Sequence, residues 1–193
     1  LMRLMKSGAV TNRKKEIYRG VSVTSYAFGS PELFDWLDRN PLVEFQGIDK
    51  VFNPLQIGRN RNFVGLVMAR KVDLSGRVTM HVGEKGMVAG LAQATAAING
   101  ASISRGGYTV IGVPSRNLKG ESNILVSVEN FPNLLGNPES GNMIVTEYGI
   151  ANMFGRTIRE RAQSLIEIAH PDDRKKLVEK AKEANILYKD QIF

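Results

Sequence analysis

The chain has 193 residues, enough to bury one sizeable core, and 42% of them are apolar. It contains no cysteine, which excludes disulfides, thiolate metal sites and a cysteine nucleophile. The net charge of +7 invites a nucleic-acid reading. However, its cations are scattered over Arg13-Lys14-Lys15, Arg59 to Arg61, Arg70-Lys71 and Arg174 to Lys176, with no interleaved aromatics.

Neither nucleic acid nor a membrane is therefore expected as a partner: no apolar run reaches the length of a membrane span. Cysteine usage is compatible with a cytoplasmic setting. The composition, with 19 glycines, suits a globular α/β fold, read here as one domain over residues 1–193.

Leu1, Leu4 and Met5 have helical spacing, and Gly8 ends that segment. Residues 21–28 alternate and are rich in β-branched and aromatic side chains, so a strand is expected. Ser30 and Pro31 open a helix that packs Leu33, Phe34 and Leu37 inward, and Asn40-Pro41 breaks it. Leu42 to Phe45 is a short strand candidate, and Asn53-Pro54 opens a turn or short helix. Phe63 to Leu74 and Arg77 to Val82 read as two strands joined by a tight turn at Ser75-Gly76.

That second strand leads into Gly83-Glu-Lys-Gly86 and then an alanine-rich helix over about 87–103, ended by Gly106-Gly107. A strand, a glycine loop and a helix start together offer amides and a positive dipole end to a phosphate or carboxylate. Gly83, Lys85, Gly86 and Gly90 are thus ligand-binding candidates. An ordinary βα connection accounts for the same pattern.

Tyr108 to Val113 is a buried strand ending at Pro114-Ser115, and Ile124 to Val128 is another; Phe131 to Gly141 reads as a surface loop. Met143 to Val145 form a short apolar strand, after which Gly149 and Gly155 supply turns. Thr157 and Glu160 spell a capping box, and Ile158, Ala162, Leu165, Ile166 and Ala169 form one apolar stripe. Pro171 stops that helix and starts a last one using Leu177, Val178, Ala181 and Ala184.

Glu147 stands out as a carboxylate directly after a buried strand, where ligand crevices form in open α/β sheets. Its alternative role is to accept hydrogen bonds from backbone amides or from Arg159 or Arg161. His81 and His170 show no metal spacing, and no nucleophile elbow accompanies them, so no metal is expected.

The stretch Thr146-Glu147-Tyr148-Gly149-Ile150-Ala151, with Gly155, Arg159-Glu160-Arg161-Ala162, Ile168-Ala169-His170-Pro171 and Arg174, resembles the C-terminal domain of the acetyl-CoA hydrolase/transferase family, which includes acetate- and 4-hydroxybutyrate-dependent CoA-transferases. Gly8 to Lys15, Ala27 to Pro41 and Lys71 to Val78 fit the same family in the same order.

The resemblance implies an open, mostly parallel sheet flanked by helices, as in the NagB/RpiA/CoA-transferase type. It also implies coenzyme A or an acyl-CoA as substrate with a small carboxylate or water as acceptor, no metal, and assembly as a homo-oligomer. A glutamate nucleophile is expected just upstream of the segment matching Leu1 to Gly8. The chain would then be one half of a longer protein, partnered by the N-terminal half and unable to complete the reaction alone. Ser115 and Ser122 become possible pocket-edge hydroxyls, which turn chemistry explains equally. Glu147 and Gly149 join Ser115 as ligand-site candidates, Glu147 as a possible accessory catalytic acid.

One departure stands out. Relatives carry Gly-x-Gly-Gly followed by Asp-Phe, whereas this chain reads Gly90-Leu-Ala-Gln-Ala-Thr-Ala-Ala97. An altered pocket, or a regulatory CoA-binding domain with altered catalysis, is the alternative this raises.

Overall fold

The computed structural model describes residues 1–80, 91–135 and 142–190. Its first elements are short: α1 (Met2–Lys6), β1 (Ser22–Thr24), α2 (Pro31–Leu37), β2 (Val43–Phe45), α3 (Ile48–Val51) and α4 (Pro54–Gly58). Proline occupies the first turn of α2 and of α4, where its missing amide costs nothing. Asn53 caps α4 by accepting from the Leu55 and Gln56 amides. Phe34 is half exposed rather than inward-packed, and no residue of α2 is fully buried.

The run read as Phe63 to Leu74 divides into β3 (Val64–Met68) and β4 (Lys71–Asp73), which belong to different sheets. After β5 (Val78–Thr79) come α5 (Ala92–Ile103), β6 (Tyr108–Gly112), β7 (Ile124–Leu125) and β8 (Leu134–Leu135). Strand β7 is shorter than the expected 124–128, and β8 lies inside the stretch read as a loop. The chain ends with β9 (Met143–Thr146), β10 (Gly149–Asn152), α6 (Ile158–Glu167) and α7 (Pro171–Glu183).

The expected open sheet is present as separate pieces. β1 and β2 pair in parallel. A four-stranded sheet runs β10-β9-β6-β3, with β3, β6 and β9 parallel and β10 an antiparallel edge. A second runs β7-β4-β5-β8 around the β4–β5 hairpin.

Val67, Ile111, Ile144 and Ala151 point from the central sheet into the core, against Ile98 of α5 and Ala162, Leu165 and Ile166 of α6. The close approach of α5 needs small residues. A side chain at Gly65 would come within 3.1 Å of the Ala97 carbonyl, and one at Gly100 would overlap Ile57 of α4. Ile158 is exposed, so the buried stripe of α6 starts a turn later than its apolar spacing suggests.

Asp73 anchors the hairpin. It is fully buried and accepts from the Ser75 amide (3.0 Å), Ser75 hydroxyl (2.6 Å), Arg77 amide (3.1 Å), Arg77 Nε (2.8 Å) and Val128 amide (3.3 Å). A buried carboxylate is tolerable only when so completely satisfied. The Lys71 to Val78 stretch is thus built around a structural acid.

Candidate functional site

The carboxyl ends of the parallel strands β3, β6 and β9 emerge together, the position where open α/β sheets form ligand crevices. Met68 ends β3 and Ala69 and Arg70 follow it, Pro114 and Ser115 lie just beyond β6, and Glu147 follows β9. A cleft of about 650 Å³ opens beside them, lined by Met68, Arg70, Pro114, Leu118, Lys119 and Glu121 among others.

Glu147 is exposed at the two-residue turn between β9 and β10, yet its carboxylate is committed. Oε1 accepts from the Ser115 hydroxyl at 2.5 Å, and Oε2 accepts from the Ser115 amide at 3.0 Å. These bonds, the hydroxyl's foremost, hold the Glu147 carboxyl below its ordinary range despite an opposing desolvation, so it stays ionised. Ser115 itself is fully buried. The structure thus joins two predicted site residues that lie 32 positions apart. Neither predicted arginine is involved: Arg161 donates to the Arg156 and Ser75 carbonyls, and Arg159 stacks on Tyr188.

The turn is pinned from below. The Thr146 hydroxyl donates to the Ile168 carbonyl (2.6 Å) and accepts from the Tyr148 amide (3.0 Å). A side chain at Gly149 would press on Ile168 at 3.2 Å. His170 caps α7, its Nδ1 accepting from the Asp172 amide, and meets the Tyr148 ring edge-on with centroids 5.3 Å apart.

Arg116, next to Ser115, makes two 2.8 Å hydrogen bonds to Asp173. These bonds lower the Asp173 carboxyl and raise the Arg116 guanidinium. Sequence reasoning missed this pair, 57 positions apart, and no local pattern marks it. The tail of β6, the β9–β10 turn and the start of α7 form one hydrogen-bonded ridge. Ser122 does not join it: its hydroxyl donates to the Ile124 carbonyl and accepts from the Ile124 amide, a local turn.

Gly83, Lys85, Gly86, Gly90 and His81 lie outside the described residues. Among the described residues, no group of three or more metal-ligating side chains occurs, and no helix is long and apolar enough to cross a membrane.

Residues 29–181 match the model of the acetyl-CoA hydrolase/transferase C-terminal domain. The 4-hydroxybutyrate coenzyme A transferase of Clostridium kluyveri is 36% identical over 184 residues, covering 94% of this chain and 43% of that protein. Among solved structures, RipA from Yersinia pestis superposes with a TM-score of 0.85 at 30% identity, covering 96% of this chain and 41% of the other. The 4-hydroxybutyrate CoA-transferase of Porphyromonas gingivalis gives 0.81 at 32% identity, covering 95% and 42%. The chain therefore spans less than half the length of these relatives.

Proposed function

The chain belongs to the acetyl-CoA hydrolase/transferase family, as its C-terminal domain, and on that premise we propose that it forms one wall of an acyl-CoA site whose nucleophile lies elsewhere in a longer protein. The observation that carries this reading is the state of Glu147. Both of its oxygens are engaged by Ser115, so it shapes the strand-end ridge rather than attacking a thioester.

In the proposed reaction a glutamate upstream of Leu1 attacks the acyl-CoA carbonyl and expels CoA thiolate, leaving an acyl-glutamyl anhydride. The thiolate returns to the glutamyl carbonyl and expels the first carboxylate, giving a glutamyl-CoA thioester. An acceptor carboxylate attacks that thioester, and the released thiolate then takes the new acyl group, regenerating glutamate. Water as acceptor gives hydrolysis. The acyl-CoA lies along the carboxyl ends of β3, β6 and β9, with Arg70 and Lys119 offering positive charge to its phosphates. A short-chain acyl group and a small carboxylate acceptor are the substrates proposed.

The test joins the chain to its natural upstream sequence, incubates it with acetyl-CoA and maps covalent CoA by mass spectrometry. A CoA adduct on an upstream glutamate, with Glu147→Gln still forming it, is the expected result. An adduct on Glu147, or full turnover by the 193-residue chain alone, overturns the assignment. CoA binding without any adduct favours the altered, regulatory alternative raised by the Gly90 turn.

A further inference from the structure

The stretch that joins β6 to β7 separates two cavities. Asn123 lines the strand-end cleft, whereas Ser122 and Ile124 line a second open cavity of about 600 Å³, and Glu121 borders both. Lys71 of β4 stands in this second cavity with Leu125, Phe131 and Leu177, and the exposed Lys176 and Lys180 line it from α7. Those two lysines are four residues apart and so share one face of the helix.

Lys71 is the unusual group. It is only 8% exposed, and its Nζ makes two long hydrogen bonds, 3.4 Å each, to the Ser122 carbonyl and to Asn123 Oδ1. The Phe131 ring lies 5.5 Å from it. Among the described residues, no carboxylate pairs with Lys71. The acids nearby are engaged elsewhere. Asp73, on the same face of β4 by strand alternation, is taken by Ser75, Arg77 and Val128. Glu121 accepts from Asn117 at 2.7 Å, and Asp173 from Arg116 at 2.8 Å. Burial pushes the Lys71 amine below its ordinary range, with Arg70 adding to the effect and Glu121 opposing it. A buried ammonium is costly unless an anion meets it.

We propose that this cavity is a second ligand site, separate from the strand-end cleft, for a carboxylate with an apolar body such as a medium-chain fatty acid, its carboxylate seated on Lys71. The lining selects that chemistry. One buried cation calls for one anionic head. Ile124, Leu125, Leu177 and the Phe131 ring offer apolar surface to the body behind it. Lys176 and Lys180 are exposed, so they attract the anion toward the opening but fix it weakly. A free phosphate would leave the apolar walls unused, and a neutral or cationic ligand would leave Lys71 unanswered.

The partition between the two cavities is held in place. Asn123 Nδ2 donates to the Pro114 carbonyl at 2.9 Å, and the Asn123 amide donates to the Ser115 carbonyl at 2.8 Å. Arg116 and Ser122 are joined by an antiparallel bridge. Met68, Pro114 and Lys119 line the strand-end cleft and have no part in the Lys71 cavity.

Calorimetric titration with octanoate tests this on the chain joined to its natural upstream sequence, with acetate and inorganic phosphate as probes that lack the apolar body. Octanoate should bind at least ~10-fold more tightly than either, because burying its methylenes adds to the charge contact. Lys71→Met keeps the apolar stem and should weaken octanoate at least ~10-fold, the share of one charge-assisted hydrogen bond. Lys119→Met, in the strand-end cleft, and saturating CoA should each leave the affinity unchanged. Absence of octanoate binding, equal binding of acetate or phosphate, or full affinity in Lys71→Met overturns the proposal. So does a loss of octanoate affinity in Lys119→Met or on adding CoA, which would place the fatty acid in the cleft. Should Lys71→Met not fold, the wild-type side chain is read directly by NMR of lysine-labelled protein. Octanoate should shift the Lys71 Nζ resonance and raise its titration midpoint; an unmoved resonance at saturation overturns the assignment.

Discussion

Glu147→Gln removes the charge that Ser115 answers while keeping one oxygen acceptor. The carboxylate accepts both the Ser115 hydroxyl and amide, and hydrogen bonds to charged groups contribute about 1.5–3 kcal/mol each when well shielded. Glu147 is solvent-exposed, which pulls the value toward the low end. Ser115, however, is fully buried, and leaving one of its donors facing an amide NH2 adds a desolvation cost. A loss of about 1–2 kcal/mol is expected, or roughly 2–8 °C in Tm for a chain of this size.

Ser115→Ala should cost less, because the freed carboxylate finds water. The double-mutant cycle should therefore show about 1 kcal/mol of coupling. The pH dependence has a definite sign. Folded Glu147 has its carboxyl lowered from the ordinary 4.5, chiefly by the Ser115 hydroxyl. Its contribution is thus present above 4.5 and is lost as pH falls through the lower folded value. The wild-type advantage over Glu147→Gln in urea unfolding should shrink below pH 4.5. A gap that is negligible at pH 7, or that stays constant into acid, refutes the reasoning.

Asp73→Ala should be far more damaging, about 3–5 kcal/mol by denaturant titration, because Arg77 and a buried hydrogen-bond set lose their acceptor. Thr157→Ala removes one half of a complete capping box and should cost about 1 kcal/mol, with Glu160→Ala non-additive. Gly107→Ala places a methyl against the Ala101 carbonyl and should lower stability by about 1–3 kcal/mol, measurable by thermal melting. Arg116→Ala should raise the Asp173 carboxyl, visible by NMR titration, while Arg116→Lys should restore the shift only partly because the bidentate geometry is lost.

Local features were legible from residue order. The capping box, the proline starts of α2, α4 and α7 and the Ser75-Gly76 turn rest on interactions spanning a few residues, and they appear as written. The alanine-rich helix expected over about 87–103 is described from Ala92, with Leu91 as its N-cap. Glu147 was recognisable as a candidate because it follows an apolar strand, and Ser115 through the family resemblance. Their bond to one another was not, since nothing in either neighbourhood encodes a partner 32 positions away. The β9–β10 hairpin was missed because Gly149 looked like a turn residue when it begins a strand. The division of Phe63 to Leu74 between two sheets was also hidden, since the apolar run continues unbroken across Ala69 while the pairing partner changes.

Sequence alone therefore determined the two C-terminal helices, the capping box of α6 and the family. Those depend on propensity and spacing, which act within a helical turn or a strand's alternation. Only the tertiary structure decided which strands share a sheet. It also decided that Glu147 serves Ser115 and that Arg116 reaches α7. Those are matters of hydrogen-bond direction between distant segments, and a chain read in order carries no measure of that distance.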